Sequence, residues 1–181
     1  MHRTAHPAGF TILPVHERVH LALLSGKQAL GLAHQLSRFI VVPLESTIKQ
    51  SSKESFGPSS LMDIYKFNQM ASQIERRNPD RKIVYSAGSD GVVQTKVAFL
   101  LGCHLIMSKA LDTDRVLQVF QGVEGLVPSD GCGLIGILDC WRAVERARSD
   151  CWIDFQERFD MDRNAGTIYM EELIHYSRWH T

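Results

Sequence analysis

The chain is poor in the features that would assign it quickly. Its four cysteines, Cys103, Cys132, Cys140 and Cys151, show no C-x-x-C spacing, which argues against a zinc ribbon. Neither sign of charge is in excess: 20 Lys and Arg face 20 Asp and Glu, for a net charge of zero. That balance argues against a basic nucleic-acid domain. No apolar run is expected to reach membrane-spanning length. The N-terminus, with His2, Arg3, His6 and Pro7, does not read as a secretory signal. The expectation is therefore an intracellular chain with reduced thiols, in the cytoplasm, nucleus or at the cytoskeleton. No cofactor, nucleic-acid partner or membrane partner is implied.

What is present suffices for one core, since 44% of the 181 residues are hydrophobic. Residues 1–14 read as a loose N-terminus, with Phe10 to Leu13 as a candidate extended stretch, and 15–181 as a single domain. The stretch from Val15 to Leu36 is rich in Leu and Ala and predicts one or two helices, with Leu21, Leu24, Leu32 and Leu36 facing the core. Arg38 to Pro43 is a strand ended by proline. Glu45 to Ser55 is an exposed polar loop, and Pro58 opens a helix through Leu61, Ile64, Tyr65, Asn68 and Met70 toward Arg77. Asn78-Pro-Asp80 turns the chain into a central strand, Ile83 to Tyr85. Val97, Leu100, Leu101, His104 and Met107 then recur at helical spacing. Asp112 starts a further helix with Val116, Leu117, Val119 and Phe120 on its apolar side. A glycine-rich loop spans Gly122 to Gly133. Leu134 to Arg148 is a last helix, with Ile135, Leu138 and Trp141 inward and Arg142, Arg146 and Arg148 outward. Strand, helix, strand in this order is a βαβ arrangement. The fold class is α/β, helix-rich with a small, mainly parallel sheet.

The chain is organised around the loop that joins the central strand to its helix: Ser86, Ala87, Gly88, Ser89, Asp90, Gly91 and Val92. Free amides at such a junction make an anion cradle. Thiolate-based phosphoryl transfer would need a Cys at the start of this loop and an Arg near its end. Ser86 stands near the first position and Val92 near the second, and no Cys or Arg lies between Tyr85 and Gln94. Asp90 adds negative charge where an anion would sit. No Gly-Lys-Ser/Thr follows the glycines, so a Walker loop is excluded. The loop reads as a degenerate phosphate cradle with no catalytic residue.

Three blocks carry a resemblance. Ile83-Val-Tyr85 through Ala98-Phe-Leu-Leu-Gly102, Phe56-Gly-Pro-Ser-Ser-Leu61 with Tyr65 and Lys66, and Ile137-Leu-Asp-Cys140 with Asp154-Phe155 and Phe159-Asp-Met-Asp162 occur in order. Over roughly Ser37 to Asp162 the chain resembles the non-catalytic N-terminal half of the mitotic-exit dual-specificity phosphatases, the cell-division-cycle fourteen family. The resemblance implies a protein-tyrosine-phosphatase-like fold without the catalytic cysteine, and a role in protein dephosphorylation and the cell cycle as a pseudophosphatase. It also implies a partner protein or phosphoprotein substrate and possibly a separate catalytic half, which would complete a substrate groove. One alternative is thus the leading half of a whole phosphatase. Two departures weaken the loop's contacts: the family has a longer segment at Glu45 to Ser55, and an Asp where this chain has Ser55.

Other constellations are weaker. Glu157, Asp160 and Asp162 form an acidic patch that could receive a basic peptide. Asp160, Asp162, Asn164 and Glu171 fit the oxygen positions of an EF-hand loop, a second alternative that would make the chain a calcium-binding module. Ala165 occupies the glycine position of that loop, and Gly166 and Ile168 each lie one place late, so no metal is expected. Cys103 and His104 are neighbours on a helix and point apart, as a buried Cys beside a satisfied His. His16 and His20 would be spaced i, i+4 with no obvious carboxylate partner, so a metal site there is not expected.

Overall fold

The computed structural model describes residues 4–5, 11–24, 28, 31, 39–44, 61–88, 90–121 and 136–151. Its elements are β1 (Thr4–Ala5), β2 (Thr11–His16), β3 (Val19–Leu23), β4 (Phe39–Pro43), α1 (Leu61–Arg77), β5 (Lys82–Ala87), α2 (Gly91–Lys109), α3 (Thr113–Phe120) and α4 (Ile137–Ser149). The strands form one sheet in the order β1-β2-β3-β5-β4. Its centre is parallel, with β5 between β3 and β4. A short antiparallel edge is added by β1 and β2. The protein is α/β, as the sequence predicts, and β4, α1 and β5 make the expected βαβ unit.

The helical expectation for Val15 to Leu36 is corrected. Residues 15–23 belong to a β-hairpin, turned at Glu17 with φ 30°, and helix is found beyond it at Gln28 and Gly31. A run such as Val19-His-Leu-Ala-Leu-Leu24 satisfies helical and strand templates alike when both faces are covered. Val19, Leu21 and Leu23 face the helices with Ile83, Tyr85 and Ala87, while Ala22, Leu24 and Val84 share the opposite face. The period of two is therefore present but masked by apolar residues on both sides. His16 and His20 consequently flank a turn rather than a helical face. His20 Nδ1 lies 3.1 Å from the Arg18 carbonyl, and burial lowers its pKa despite that contact. Thr4–Ala5, within the stretch expected to be loose, pairs in the sheet, and so does Thr11–Pro14, which overlaps the candidate extended stretch Phe10 to Leu13.

Helix α2 is the axis of the core. Every residue from Thr95 to Met107 is buried, because the sheet lies on one side and α1, α3 and α4 enclose the rest. Its 19 residues are long and apolar enough to cross a membrane, contrary to the expectation that no run would be, yet 78% of that window is buried inside the fold. Helix α4 is fastened to it at two levels. Trp141 Nε1 donates to the Phe99 carbonyl at 3.1 Å, and Arg148 donates to the Ile106 carbonyl. Arg148 is thus a helix-to-helix tie, unlike the exposed Arg142 and Arg146. Leu138 is half-buried where it was expected inside. Helix α3 is capped by Asp112, whose Oδ1 accepts from Arg115 N at 2.8 Å, and Thr113 donates through N and Oγ1 to Glu145 on α4.

Candidate functional site

The loop after β5 is braced by side chains of α2 and its cap. Ser86 and Ala87 are the last residues of β5. Both are tied into the sheet, since Leu44 N donates to Ser86 O at 3.0 Å and Leu24 N to Ala87 O at 2.9 Å. Ser86 is only 3% exposed, and strand alternation places its side chain on the sheet face away from α2. A hydroxyl so placed is not presented as a nucleophile at the helix N-terminus.

Two of the amides that an anion would use, those of Val92 and Val93, are already engaged. Asp90 is the N-cap of α2, and its Oδ1 accepts from Val92 N at 2.8 Å and Val93 N at 3.4 Å. A carboxylate here also sits well against the positive end of the helix dipole. Gln94 closes the loop from the other side, its Nε2 donating to Gly88 O at 2.8 Å. This second brace was not legible beforehand, because a Gln one turn into a helix has no fixed role in sequence. Ser89 lies outside the described residues. Replacing Asp90 with alanine is expected to lower stability by about 1 kcal/mol, the usual worth of an N-cap, read from denaturant unfolding. No change would mean that the cap bonds are not formed in solution.

The helices hold a second polar group of residues, found only in three dimensions. His104 is fully buried. Its Nδ1 lies 2.7 Å from Asn68 Oδ1, and its Nε2 donates to Glu75 Oε1 at 2.8 Å. Glu75 Oε2 also receives Lys109 Nζ at 2.5 Å, and Ser108 Oγ donates to Asn68 Oδ1 at 2.7 Å. Burial pushes the Glu75 carboxyl up, but the hydrogen bonds and charges of His104 and Lys109 outweigh it and hold the group at about 2. The Tyr85 phenol beneath is buried without a partner among the described residues. Burial and then the Glu75 charge raise its pKa. Phe67 packs edge-on to His104 and against Tyr85. Asn68, Ser72 and Glu75 share one helical stripe by their spacing, but nothing in the sequence shows that this stripe meets His104 and Ser108.

Neither Cys103 on α2 nor Cys140 on α4 is poised for attack, since burial raises both thiols. Burial drives the Cys103 thiol well above its ordinary range, with Cys140 adding to the effect, so the reactive thiolate is suppressed. Cys103, Cys140 and Cys151 are free. Cys132, the acidic patch Glu157, Asp160 and Asp162, and the EF-like set Asp160, Asp162, Asn164 and Glu171 lie outside the described residues. So do the expected loops Glu45 to Ser55 and Gly122 to Gly133, the helix start at Pro58, and Leu32, Leu36 and Ile135.

No protein-family model matches the chain. Among curated proteins, it is 25% identical over 173 residues to dual specificity protein phosphatase CDC14C of Symphalangus syndactylus, a match covering 88% of this chain and 34% of that protein. It is 27% identical over 124 residues to the Homo sapiens CDC14C, covering 62% of this chain and 27% of the relative. The chain spans about a third or less of the length of these relatives. Together with the α/β fold, these matches show that the chain resembles part of the CDC14 dual-specificity phosphatases.

Proposed function

We propose that the chain is a non-catalytic, phosphatase-like module that binds a protein partner or helps form a substrate groove. One observation carries the reading: two amides at the start of α2, those of Val92 and Val93, are capped by the chain's own Asp90 carboxylate, in a loop that contains neither Cys nor Arg. An incoming phosphate would meet a fixed negative charge and no arginine fork. The buried Cys103 supplies no substitute nucleophile. The purified chain is expected to show no turnover of an aryl phosphate or a phosphopeptide. Turnover that vanishes in Ser86→Ala would overturn the reading, since the loop would then be catalytic after all.

The limited coverage of the CDC14C relatives favours a second reading, in which this module is the leading half of a phosphatase whose catalytic half is encoded downstream or supplied separately. Sequencing the transcript beyond this reading frame tests it. A Cys-x-x-x-x-x-Arg loop would support it, and its absence there and in any co-purifying protein would exclude it.

A further inference from the structure

The charged side chains of the described surface fall into two kinds. On α3 and α4 arginines are matched to carboxylates: Arg115 to Asp112, Arg142 to Asp139 and Arg146 to Asp150. At the other end of the domain they are not. Arg76 and Arg77 close α1, and Arg81 and Lys82 open β5, all four exposed. None of them has an ion-pair partner among the described residues, although Lys82 Nζ lies over the Phe39 ring at 5.7 Å. Arg18, in the β2–β3 turn, joins them by donating from Nη1 to the carbonyls of Asn78 at 2.6 Å and Arg81 at 3.2 Å. Asn78 Nδ2 in turn donates to Ile74 O at 2.8 Å, which closes the last turn of α1. Three segments are thereby locked into one surface. It carries five cations, offset by the exposed Glu17 and Asp80. Among the described residues, a further nearby carboxylate, Glu75, is committed to His104 and Lys109.

We propose that this basic end is a docking surface for an acidic protein segment, one whose carboxylates or phosphates pair with Arg76, Arg77 and Arg81. This rests on the reading of the chain as a binding module and places the contact away from the β5–α2 loop, about 20 Å off along β5. Guanidinium forks held on a rigid frame suit planar or tetrahedral anions in pairs. Arginines in the last turn also favour the helix dipole, but that leaves Arg81 and Arg18 unexplained. A peptide fits better than nucleic acid, because the chain is neutral overall and a long phosphate track needs many more cations.

The test uses the full chain and labelled probes in fluorescence anisotropy: a short Asp/Glu-rich peptide, its phosphoserine counterpart, a neutral peptide of equal length, a single-stranded RNA, and phosphatidylserine vesicles by co-sedimentation. One or both acidic peptides should bind and the neutral one should not. Which acidic peptide binds tighter identifies the anion. The double variant Arg76→Glu/Arg77→Glu should weaken binding by about tenfold or more at low ionic strength, and salt near 1 M should abolish it as the screening length falls to about 3 Å. Arg115→Glu/Arg142→Glu, on the paired surface, should leave it unchanged. All four positions are exposed, so circular dichroism should show each variant folded. Equal losses in both double variants, tighter binding of RNA or vesicles, or no peptide binding by the folded chain would each overturn the proposal. Aryl phosphate turnover on the same samples reports separately on the non-catalytic reading.

Discussion

Glu75→Ala is expected to cost about 3–5 kcal/mol, the range for removing one partner from a buried charged pair. The side chain is 10% exposed and answers both His104 and Lys109. Without it, a fully buried imidazole and a mostly covered ammonium face each other with no acceptor between them. Glu75→Gln keeps an acceptor oxygen and should cost less, while losing the charge. The pH dependence distinguishes the two contributions. The Glu75 carboxyl is held near 2 against an ordinary value of 4.5. A lowered folded-state value means stability that is fully present above about pH 4.5 and is lost as pH falls through about 2. The gap corresponds to on the order of 3 kcal/mol. Urea unfolding of the parent and Glu75→Gln from neutral pH to pH 2 should therefore show the two curves converging in acid. A parallel offset at every pH would mean that the carboxylate is not what the two cations hold.

That cluster also shows where sequence reading stops. The Gly/Ser loop, the strand before it and the apolar helix after it were legible, because each has a local signature: β-branched residues, turn residues, and helical recurrence of Val97, Leu100, Leu101 and Met107. Asp90 could be placed near the amides from its position alone. His104 was legible as a satisfied core residue, but its partners were not. Glu75 and Asn68 sit 29 and 36 positions away, and only the packing of α1 on α2 brings them together. The hairpin was misread for a related reason. Central strands buried on both faces lose the alternation that distinguishes a strand, and Leu21 and Leu24 then match helical spacing by chance. Arg148 looked like a solvated surface charge, since nothing in the sequence points its fork at a carbonyl of another helix.

The contact between α2 and α4 gives the sharpest expected reversal. A Cβ on Gly102 would lie 2.3 Å from both Cε2 and Nε1 of Trp141. The indole is no flexible tip that could swing aside. It is fully buried, donates to Phe99 O and packs against Phe120 at 5.5 Å between ring centroids. Gly102→Ala must therefore displace the ring or part the helices. Overpacking of this kind costs about 1–3 kcal/mol, and losing the indole hydrogen bond adds about 1 kcal/mol. The better helix propensity of alanine returns about 1 kcal/mol, so the net loss should be about 2 kcal/mol, measured as a fall in the denaturant midpoint. Trp141→Leu alone should also destabilise, by opening a cavity and removing the hydrogen bond. In that background, however, the ring that opposes the new methyl is gone. Gly102→Ala should then become neutral or stabilising, by up to its propensity gain. A double-mutant cycle reads this directly, because residues in contact show a coupling that distant ones do not. If alanine costs the same with and without the indole, the close approach of α4 to Gly102 is not the reason glycine stands there.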